Sequence, residues 1–202
     1  MLVGGAWIAS KNGEETVMVT ETSEDLEGLE TAAFAGGCFW CMEAGFEEAV
    51  GVVEAVSGYT GGSTENPTYE EVTTGRTGHY EAVRVYYDPE KIGYSELLEV
   101  FWRNVNPTDP DGQFADRGPQ YKTAIFYQSE EQRMLAEESK KMLDESGRFQ
   151  DPVVTEILPL GSFYRAEEYH QDYYRKQMAR YQIYEKLSGR EGFLDENWKD
   201  TE

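Results

Sequence analysis

The two cysteines of the chain lie three residues apart, in the segment GGCFWC at residues 36–41. If a helix starts at Cys38, Cys41 lies over the same face of its first turn, so the pair can form a disulfide. The unpaired N–H groups and partial positive charge of a helix start stabilise a thiolate. The spacing therefore predicts redox chemistry, with Cys38 more reactive than a free cysteine.

A zinc site and a pair of inert core thiols are the alternatives to redox chemistry for these cysteines. A structural zinc site needs four ligands, and the two histidines, His79 and His170, are distant in sequence and lack zinc-motif spacing. A lone cysteine usually packs as a small hydrophobic residue, but a pair that follows two glycines at a helix start fits that role poorly. We therefore expect neither a metal nor a cofactor.

The residues alone leave two redox functions open. One is thioredoxin-like dithiol exchange, and the other is attack on an oxidised small group followed by disulfide formation. The rings of Phe39 and Trp40 favour the second, because large rings beside a nucleophile could enclose a methyl or thioether group. Core packing accounts for Phe39 equally well, since it lies on the apolar stripe of the predicted helix.

Alternating strands and helices must position these side chains. The patterns predict strands at 31–35, 52–59, 81–87 and 121–127, and helices at 38–50 and at 96–105, the second capped by Ser95. This order predicts an α+β protein with a ferredoxin-like βαββαβ core, a mixed sheet with helices packed on it. Additions follow: a helix from Ser129 to about 146, a strand at 153–158, a helix at 166–187 and a C-terminal extension.

Charge and composition limit the domain organisation and the partners. The formal net charge of −21 opposes contact with nucleic acid phosphates. The N-terminal residues lack a basic region and a long apolar span, and two neighbouring cysteines cannot staple a secreted fold, so we expect a cytoplasmic, monomeric protein without a membrane partner. One catalytic domain is predicted at 31–187, between an acidic arm at 1–30 and a polar tail at 188–202 that wraps the surface or frays.

The chain resembles peptide methionine sulfoxide reductase A in several motifs that occur in the order of that family. They are GGCFW at 36–40, GYTGG at 58–62, NPTY at 66–69, TGHYEAV at 77–83, YDP at 87–89, QY at 120–121, and FY, AE and HQ between 163 and 171. The resemblance covers about residues 31–175. It implies a ferredoxin-like core and reduction of the S epimer of methionine sulfoxide, free or in proteins.

The same resemblance implies roles for particular side chains. Cys38 matches the nucleophile that attacks the sulfoxide sulfur, and Glu81 matches the acid that protonates the sulfoxide oxygen. The remaining matches are the walls of the methyl pocket, Phe39 and Trp40, the hydroxyls that bind the oxygen, Tyr69 and Tyr121, and a supporting carboxylate, Asp116.

The local sequence supports the role of Glu81 independently. Glu81 shares one face of a predicted strand with Val83 and Val85, and a carboxyl among apolar side chains stays protonated near neutral pH. For His79 a structural hydrogen bond is the favoured interpretation. Glu167 and His170 remain open between a structural pair and a role near the pocket.

The chain departs from the family at Cys41. Many members carry glycine there and a resolving cysteine near the C-terminus, but this chain has no cysteine after 41. Cys41 is thus the candidate that converts a Cys38 sulfenic acid to a disulfide, which thioredoxin or a similar dithiol would reduce. The alternatives are a general thioredoxin-like disulfide oxidoreductase, which has no use for Glu81, and a sulfoxide-binding module with inert thiols.

Overall fold

The structure, a computed structural model, describes residues 28–198 of the 202-residue chain. The acidic arm predicted at 1–30 therefore lies outside the described residues up to residue 27. The same holds for residues 199–202 of the predicted tail. None of the helices between residues 28 and 198 combines the length and the apolar character that crossing a lipid bilayer requires.

The described residues form a mixed α+β fold with one six-stranded sheet and a short hairpin. The strands are β1 (Glu30–Gly36), β2 (Val52–Thr60), β3 (Tyr80–Tyr87), β4 (Gly112–Gln113), β5 (Asp116–Arg117), β6 (Thr123–Tyr127), β7 (Glu156–Pro159) and β8 (Tyr164–Arg165). The sheet order is β7-β6-β1-β3-β2-β8, and β4 pairs with β5. The β6–β7 pair is parallel and the other pairs of the sheet are antiparallel, so the sheet is mixed.

Seven helices accompany these strands within residues 28–198. They are α1 (Phe39–Glu47), α2 (Tyr69–Thr73), α3 (Tyr94–Trp102), α4 (Glu130–Glu145), α5 (Tyr173–Lys176), α6 (Met178–Ser188) and α7 (Arg190–Trp198). Two short 3₁₀ turns lie at Pro119–Tyr121 and Glu168–His170.

Aromatic side chains join α1 and α3 to one face of the sheet. Phe34 of β1 stacks on Phe46 of α1 with ring centroids 4.8 Å apart, and on Phe101 of α3 at 5.4 Å. All three rings are fully buried, and each contributes about 1.5 to 3 kcal/mol by leaving water. The opposite face of the central strands carries small side chains such as Ala33 and Ala82, against which a loop residue, Phe163, packs.

Two glycines allow the abrupt passage from β1 into α1. A side chain at Gly36 would meet the sulfur of Met42, so the helix can approach the strand only because this position has no Cβ. Gly37 has a φ of +84°, and a Cβ there would lie 2.5 Å from the Cβ of Gln113. This turn brings Cys38 directly after the strand as the residue that precedes the first helical residue, Phe39.

Several predicted boundaries need correction. The helix predicted from Ser95 begins at Tyr94, and the residue before it, Gly93, donates its N–H to Glu96 Oε2 at 2.7 Å. The residue before the helix is therefore Gly93 rather than Ser95, and Glu96 satisfies the backbone N–H of that residue, with no side-chain hydroxyl capping the first turn. The fourth strand begins at Thr123 instead of residue 121, because Pro119 and the positive φ of Gly118 favour a 3₁₀ turn.

The Tyr-rich helix predicted at 166–187 is broken into three pieces. Asp172 adopts a left-handed conformation with φ of 52°, and its N–H donates to Glu43 Oε1 at 2.7 Å, outside any helix. A second break lies at Gln177. A tertiary hydrogen bond to a buried carboxyl thus overrides the helical pattern of the local sequence.

Residues 190–198, predicted as part of a polar tail, form α7. Arg190 is buried and donates from Nη2 to the carbonyl of Gly36 at 2.9 Å. Phe193 stacks on Phe149 with ring centroids 6.1 Å apart. The polar composition concealed these anchors, because they are one buried arginine and a few aromatic rings rather than a continuous apolar stripe. The division into arm, domain and tail stays a prediction.

Candidate active site

Cys38 and Cys41 lie together at the start of α1 with both thiols free. They are 5% and 3% exposed, and the two thiols lie close enough for each to shift the pKa of the other. The N–H of Cys41 donates to the Cys38 carbonyl at 3.2 Å, which closes the first turn of the helix and fixes the spacing of the pair. The sulfurs are thus close enough for disulfide chemistry within one helical turn.

The expectation of a stabilised Cys38 thiolate is wrong for the free protein. Burial raises the pKa of Cys38 well above its ordinary value, and Cys41, Glu81 and Asp116 raise it further. The helix start offers little compensation, because the first N–H, that of Phe39, donates to Glu81 Oε2 at 3.2 Å. Within the pair it is Cys41 whose pKa is lowered, by the hydrogen bond from Cys38 and then by Arg190 and Tyr181. Cys38 therefore rests as a thiol.

Glu81 lies beside the cysteines on β3 and is 2% exposed. Burial raises its pKa to about 8, although the N–H of Phe39 and the hydroxyl of Tyr121 partly offset this effect. Asp116 and Cys41 add to the rise. At neutral pH the carboxyl is mostly protonated, which is the state that a proton donor needs.

Two tyrosine hydroxyls lie close to Glu81. Tyr121, at the end of the 3₁₀ turn, lies close enough to the Glu81 carboxyl to lower its pKa. Tyr69, at the start of α2, is close enough for the charges of Glu81 and Cys38 to raise its pKa, after burial. Both side chains are half-buried, so both hydroxyls stay protonated and can donate to an oxygen bound near Cys38.

Asp116 is held at the same site by the C-terminal part of the chain. Tyr184 of α6 donates its hydroxyl to Asp116 Oδ2. Burial raises the pKa of Asp116, whereas Tyr184 and Arg190 lower it. Asp116 in turn contributes to the raised pKa values of Cys38 and Glu81, so these carboxyls and thiols form one electrostatically linked group.

Phe39 and Trp40 occupy different environments. Phe39 is 1% exposed and packs within the main core, against Tyr59 and His170. Trp40 is half-buried, and its ring stacks on Tyr173 with centroids 3.9 Å apart. Trp40 thus offers a partly open aromatic wall next to Cys38, whereas Phe39 can offer only the edge that the core leaves free.

His170 and Glu167 hold the aromatic wall and α2 in position. Trp40 Nε1 donates to His170 Nδ1 at 3.1 Å, and burial lowers the pKa of the imidazole, so the ring is neutral with its proton on Nε2. Glu167 accepts from the N–H of Tyr69 at 2.9 Å and from the hydroxyl of Tyr59 at 2.8 Å. These contacts place both residues beside the site rather than in an isolated helix pair.

The zinc alternative gains no support from the histidines. His79 Nδ1 accepts from the N–H of Gly62 at 3.1 Å, and Nε2 lies 2.7 Å from the carbonyl of Thr64, which is the structural role expected for it. Among the described residues, the acidic group formed by Glu43, Glu47 and Asp172 has metal-ligand spacing. Its oxygens accept from backbone, hydroxyl and arginine donors, so they are already occupied.

Sequence reasoning missed three residues that surround the cysteines from the C-terminal helices. Tyr181 and Tyr184 of α6 and Arg190 of α7 all influence the thiols or Asp116. The signal available in the sequence was the aromatic richness of residues 173–184. It could not show which rings face the site, because the two breaks in the predicted helix change the faces.

The comparisons with known proteins agree on one family. The family model described as peptide methionine sulfoxide reductase matches residues 30–202. Peptide methionine sulfoxide reductase MsrA of Bacillus licheniformis is 58% identical over 172 residues, which cover 85% of this chain and 95% of the relative. MsrA of Listeria innocua is 57% identical over 173 residues, 86% of this chain and 98% of the relative.

Solved structures give the same result. Reduced Mxr1 from Saccharomyces cerevisiae matches with a TM-score of 0.70 and 29% identity, covering 75% of this chain and 87% of that one. Methionine sulfoxide reductase A of Corynebacterium diphtheriae matches with a TM-score of 0.67 and 37% identity, covering 75% and 76%. Mxr1 in complex with Trx2 shares the fold at 22% identity, with a TM-score of 0.52 and coverage of 72% and 85%.

Proposed function

The chain belongs to the peptide methionine sulfoxide reductase family, and we propose that it reduces the S epimer of methionine sulfoxide with Cys38 as the nucleophile. It is accordingly an oxidoreductase that acts on methionine sulfoxide. The observation that carries the residue assignment is the placement of Glu81, which is protonated at neutral pH, next to the Cys38 thiol. An acid beside a nucleophile suits a reaction in which the substrate oxygen must gain a proton as its sulfur is attacked.

The proposed first half of the cycle transfers one oxygen atom. The Cys38 sulfur attacks the sulfoxide sulfur while Glu81 protonates the sulfoxide oxygen, and Tyr69 and Tyr121 hold that oxygen by hydrogen bonds. The oxygen passes to Cys38 as its S–H proton passes to the Glu81 carboxylate, so Cys38 becomes a sulfenic acid, Glu81 regains its acid form, and methionine leaves. Cys38 is oxidised by two electrons and the substrate is reduced by two. Phe39 and Trp40 enclose the substrate methyl group. The charge of Asp116 raises the pKa of Glu81 and so helps to keep that carboxyl protonated.

In the second half Cys41 resolves the sulfenic acid. Its sulfur bonds to Cys38, water leaves, and an external dithiol reduces the resulting disulfide. The burial of both cysteines in one cluster and their mutual effect on pKa support this assignment, because they place the two sulfurs close together. Thioredoxin or a similar dithiol is the proposed reductant, since a family relative, Mxr1, is known in complex with Trx2. Free thiols suit the reducing cytoplasm, where we place the protein as a monomer.

We also infer a ferredoxin-like arrangement for the core. Its support is the central strand order β6-β1-β3-β2 with antiparallel neighbours, in which α1 connects β1 to β2 and α3 precedes β6. The arrangement brings the ends of β1 and β3 together, so Cys38 and Glu81 meet although 43 residues separate them.

A mass measurement tests the function. A peptide that contains methionine-S-sulfoxide is incubated with the protein and dithiothreitol, and we expect it to lose one oxygen, whereas Cys38→Ser leaves the peptide unchanged. Persistence of the oxygen in this peptide would contradict the proposal. Reduction of insulin disulfides that does not depend on Glu81 would favour the general disulfide oxidoreductase instead.

A further inference from the structure

Cys41 contacts a tyrosine that leads away from the substrate side of the site. Tyr181 of α6 is buried in the same cluster as Cys41, and the two groups lie close enough for each to shift the pKa of the other. The Tyr181 hydroxyl donates to Glu185 Oε1 at 2.9 Å. A hydroxyl carries one proton, so while that proton is donated to Glu185 the oxygen is free to accept the S–H of Cys41.

This contact has a path to solvent. Tyr181 and Glu185 are four residues apart on α6, so they lie on one face of the helix, and Glu185 is half-buried. A cavity of about 270 Å³ is lined by Cys41, Tyr181 and Glu185, together with Arg190 and Leu194 of α7. A proton that leaves Cys41 through the tyrosine can therefore reach a carboxylate in contact with water.

We propose that Cys41, Tyr181 and Glu185 form a proton-transfer chain that activates Cys41 as the resolving nucleophile. The inference rests on the proposed function, since it concerns the step that follows formation of the Cys38 sulfenic acid. It assigns a task to two residues of the C-terminal helices that the oxygen-transfer step does not use.

Atoms and electrons balance as follows. The S–H proton of Cys41 passes to Tyr181 while the hydroxyl proton of Tyr181 passes to Glu185. The Cys41 thiolate forms a bond to the Cys38 sulfur, and the Cys38 S–O bond breaks. The oxygen leaves with a proton from the Glu81 carboxyl and is released as water. The Cys41 sulfur is oxidised, the sulfenic sulfur of Cys38 is reduced, and both carboxyl groups then exchange protons with solvent.

The charges around Cys41 favour the loss of its proton in this reaction. Groups from several elements influence Cys41: Cys38, which precedes α1, Glu81 from β3, Tyr181, Tyr184 and Glu185 from α6, and Arg190 from α7. The cavity beside Cys41 is also lined by Glu48, Tyr174, Glu191 and Asp195. The Arg190 guanidinium supplies the positive charge among them and lowers the pKa of Cys41. Arg190 is fixed by its bond to the Gly36 carbonyl, so it stabilises the thiolate without having to move.

Separating the two chemical steps tests the proposal. Wild-type protein, Tyr181→Phe and Glu185→Gln are mixed with one equivalent of methionine-S-sulfoxide without reductant. Methionine release reports oxygen transfer, and loss of the sulfenic acid, trapped with a dione reagent, reports disulfide formation. Tyr174→Phe and Glu191→Gln are the controls, because the Tyr174 hydroxyl donates to Glu47 and Glu191 is exposed on the same cavity.

We expect both variants to release one equivalent of methionine at the wild-type rate. Disulfide formation should slow on the order of a hundredfold, the lower end of what a general base contributes. Its pH profile should move to higher pH, since solvent hydroxide must then deprotonate Cys41, and the controls should match wild type.

Unchanged disulfide formation in both variants would overturn the inference. Equal slowing of both steps, or slower resolution with an unmoved pH profile, would also overturn it, because either result indicates a structural role for the tyrosine. Failure of the wild-type protein to release methionine would instead contradict the proposed function.

Discussion

At the scale of single residues, the balance between Cys38 and Glu81 decides how the site can react. Burial raises the pKa of both groups, so at neutral pH the site holds a thiol beside a carboxylic acid instead of a thiolate beside a carboxylate. Two negative charges in a buried site would repel each other. In the proposed mechanism the proton of the Glu81 carboxyl goes to the sulfoxide oxygen, which gains negative charge as its sulfur is attacked.

The pH dependence of oxygen transfer should follow the protonation of Glu81. The acid form is required and its pKa is about 8, so the rate constant for methionine release should be high below pH 8 and fall as the pH rises through that value. In Glu81→Gln the rate should drop on the order of a hundredfold below pH 8, and the difference from wild type should shrink above it.

Single-turnover measurements from pH 6 to 10 check this dependence. Glu70→Gln is the matched control, because Glu70 is exposed. Glu167→Gln is less suitable, because Glu167 accepts a hydrogen bond from the N–H of Tyr69. A wild-type profile that stays flat through pH 8, or a Glu81→Gln variant as fast as wild type, would remove Glu81 from the mechanism.

Replacing Cys41 should prevent disulfide formation without preventing oxygen transfer. We expect Cys41→Ser to release one equivalent of methionine and then to accumulate the Cys38 sulfenic acid, because serine cannot form the disulfide. Repeated turnover with thioredoxin should be lost, which coupled NADPH consumption through thioredoxin reductase measures. Normal cycling of this variant with thioredoxin would show that Cys41 is not the resolving residue.

At the scale of elements, a buried carboxyl joins α1 to the segment that follows β8. Glu43 is 1% exposed, and it accepts from the N–H of Asp172 at 2.7 Å and from the Ser57 hydroxyl at 2.9 Å. Burial raises its pKa to about 7. The junction that carries His170 towards Trp40 thus depends on a group that titrates near neutral pH.

This junction predicts a pH-dependent stability. The folded-state pKa of Glu43 lies above its ordinary value of 4.5, so its stabilising effect is fully present below pH 4.5 and is lost progressively as the pH rises from there through 7. By pH 9 the loss should be on the order of 3 kcal/mol in the free energy of unfolding. Glu43→Gln, which cannot ionise, should lose less stability over this range.

Urea unfolding at pH 5, 7 and 9 measures the effect as the difference between wild type and Glu43→Gln. Because the other acidic groups are common to both proteins, that difference isolates Glu43. The exposed Glu48 of the same region offers a control position. Parallel pH profiles for wild type and Glu43→Gln would contradict the prediction.

Sequence patterns predicted some of the helices and strands and failed to predict others. Strand β3 and helix α1 followed from alternation and from helical spacing, because their apolar faces pack directly on the core. The region after residue 166 did not, because the hydrogen bond from Asp172 to Glu43 and the turn at Gln177 interrupt it. A pattern of side chains records burial but not the tertiary contacts that end a helix.

At the scale of the whole molecule, the main feature is the large net negative charge. With 39 acidic and 18 basic side chains the formal charge is −21, and repulsion among these charges opposes the compact state. Salt bridges between exposed groups, such as Arg103 with Glu99, contribute little against it. Screening by salt should therefore stabilise the folded protein.

We expect Tm to rise by several degrees, about 5 °C or more, when NaCl increases from about 0.02 to 1 M, where the Debye length falls to about 3 Å. Differential scanning calorimetry measures the change, and sucrose of equal osmolarity is the control for effects other than screening. A constant or falling Tm in NaCl would show that the acidic surface does not limit stability.

The sequence by itself determined the family, the α+β class and the pairing of Cys38 with Cys41, because these follow from motifs and spacings within short segments. It also indicated a protonated Glu81 from its apolar strand neighbours. The tertiary structure alone decided the protonation of Cys38 and the surroundings of Cys41. The first depends on burial and on Glu81 and Asp116, and the second on Tyr181 and Arg190, which are about 140 residues or more away along the chain. Electrostatic effects act through space, and only the folded chain sets those distances.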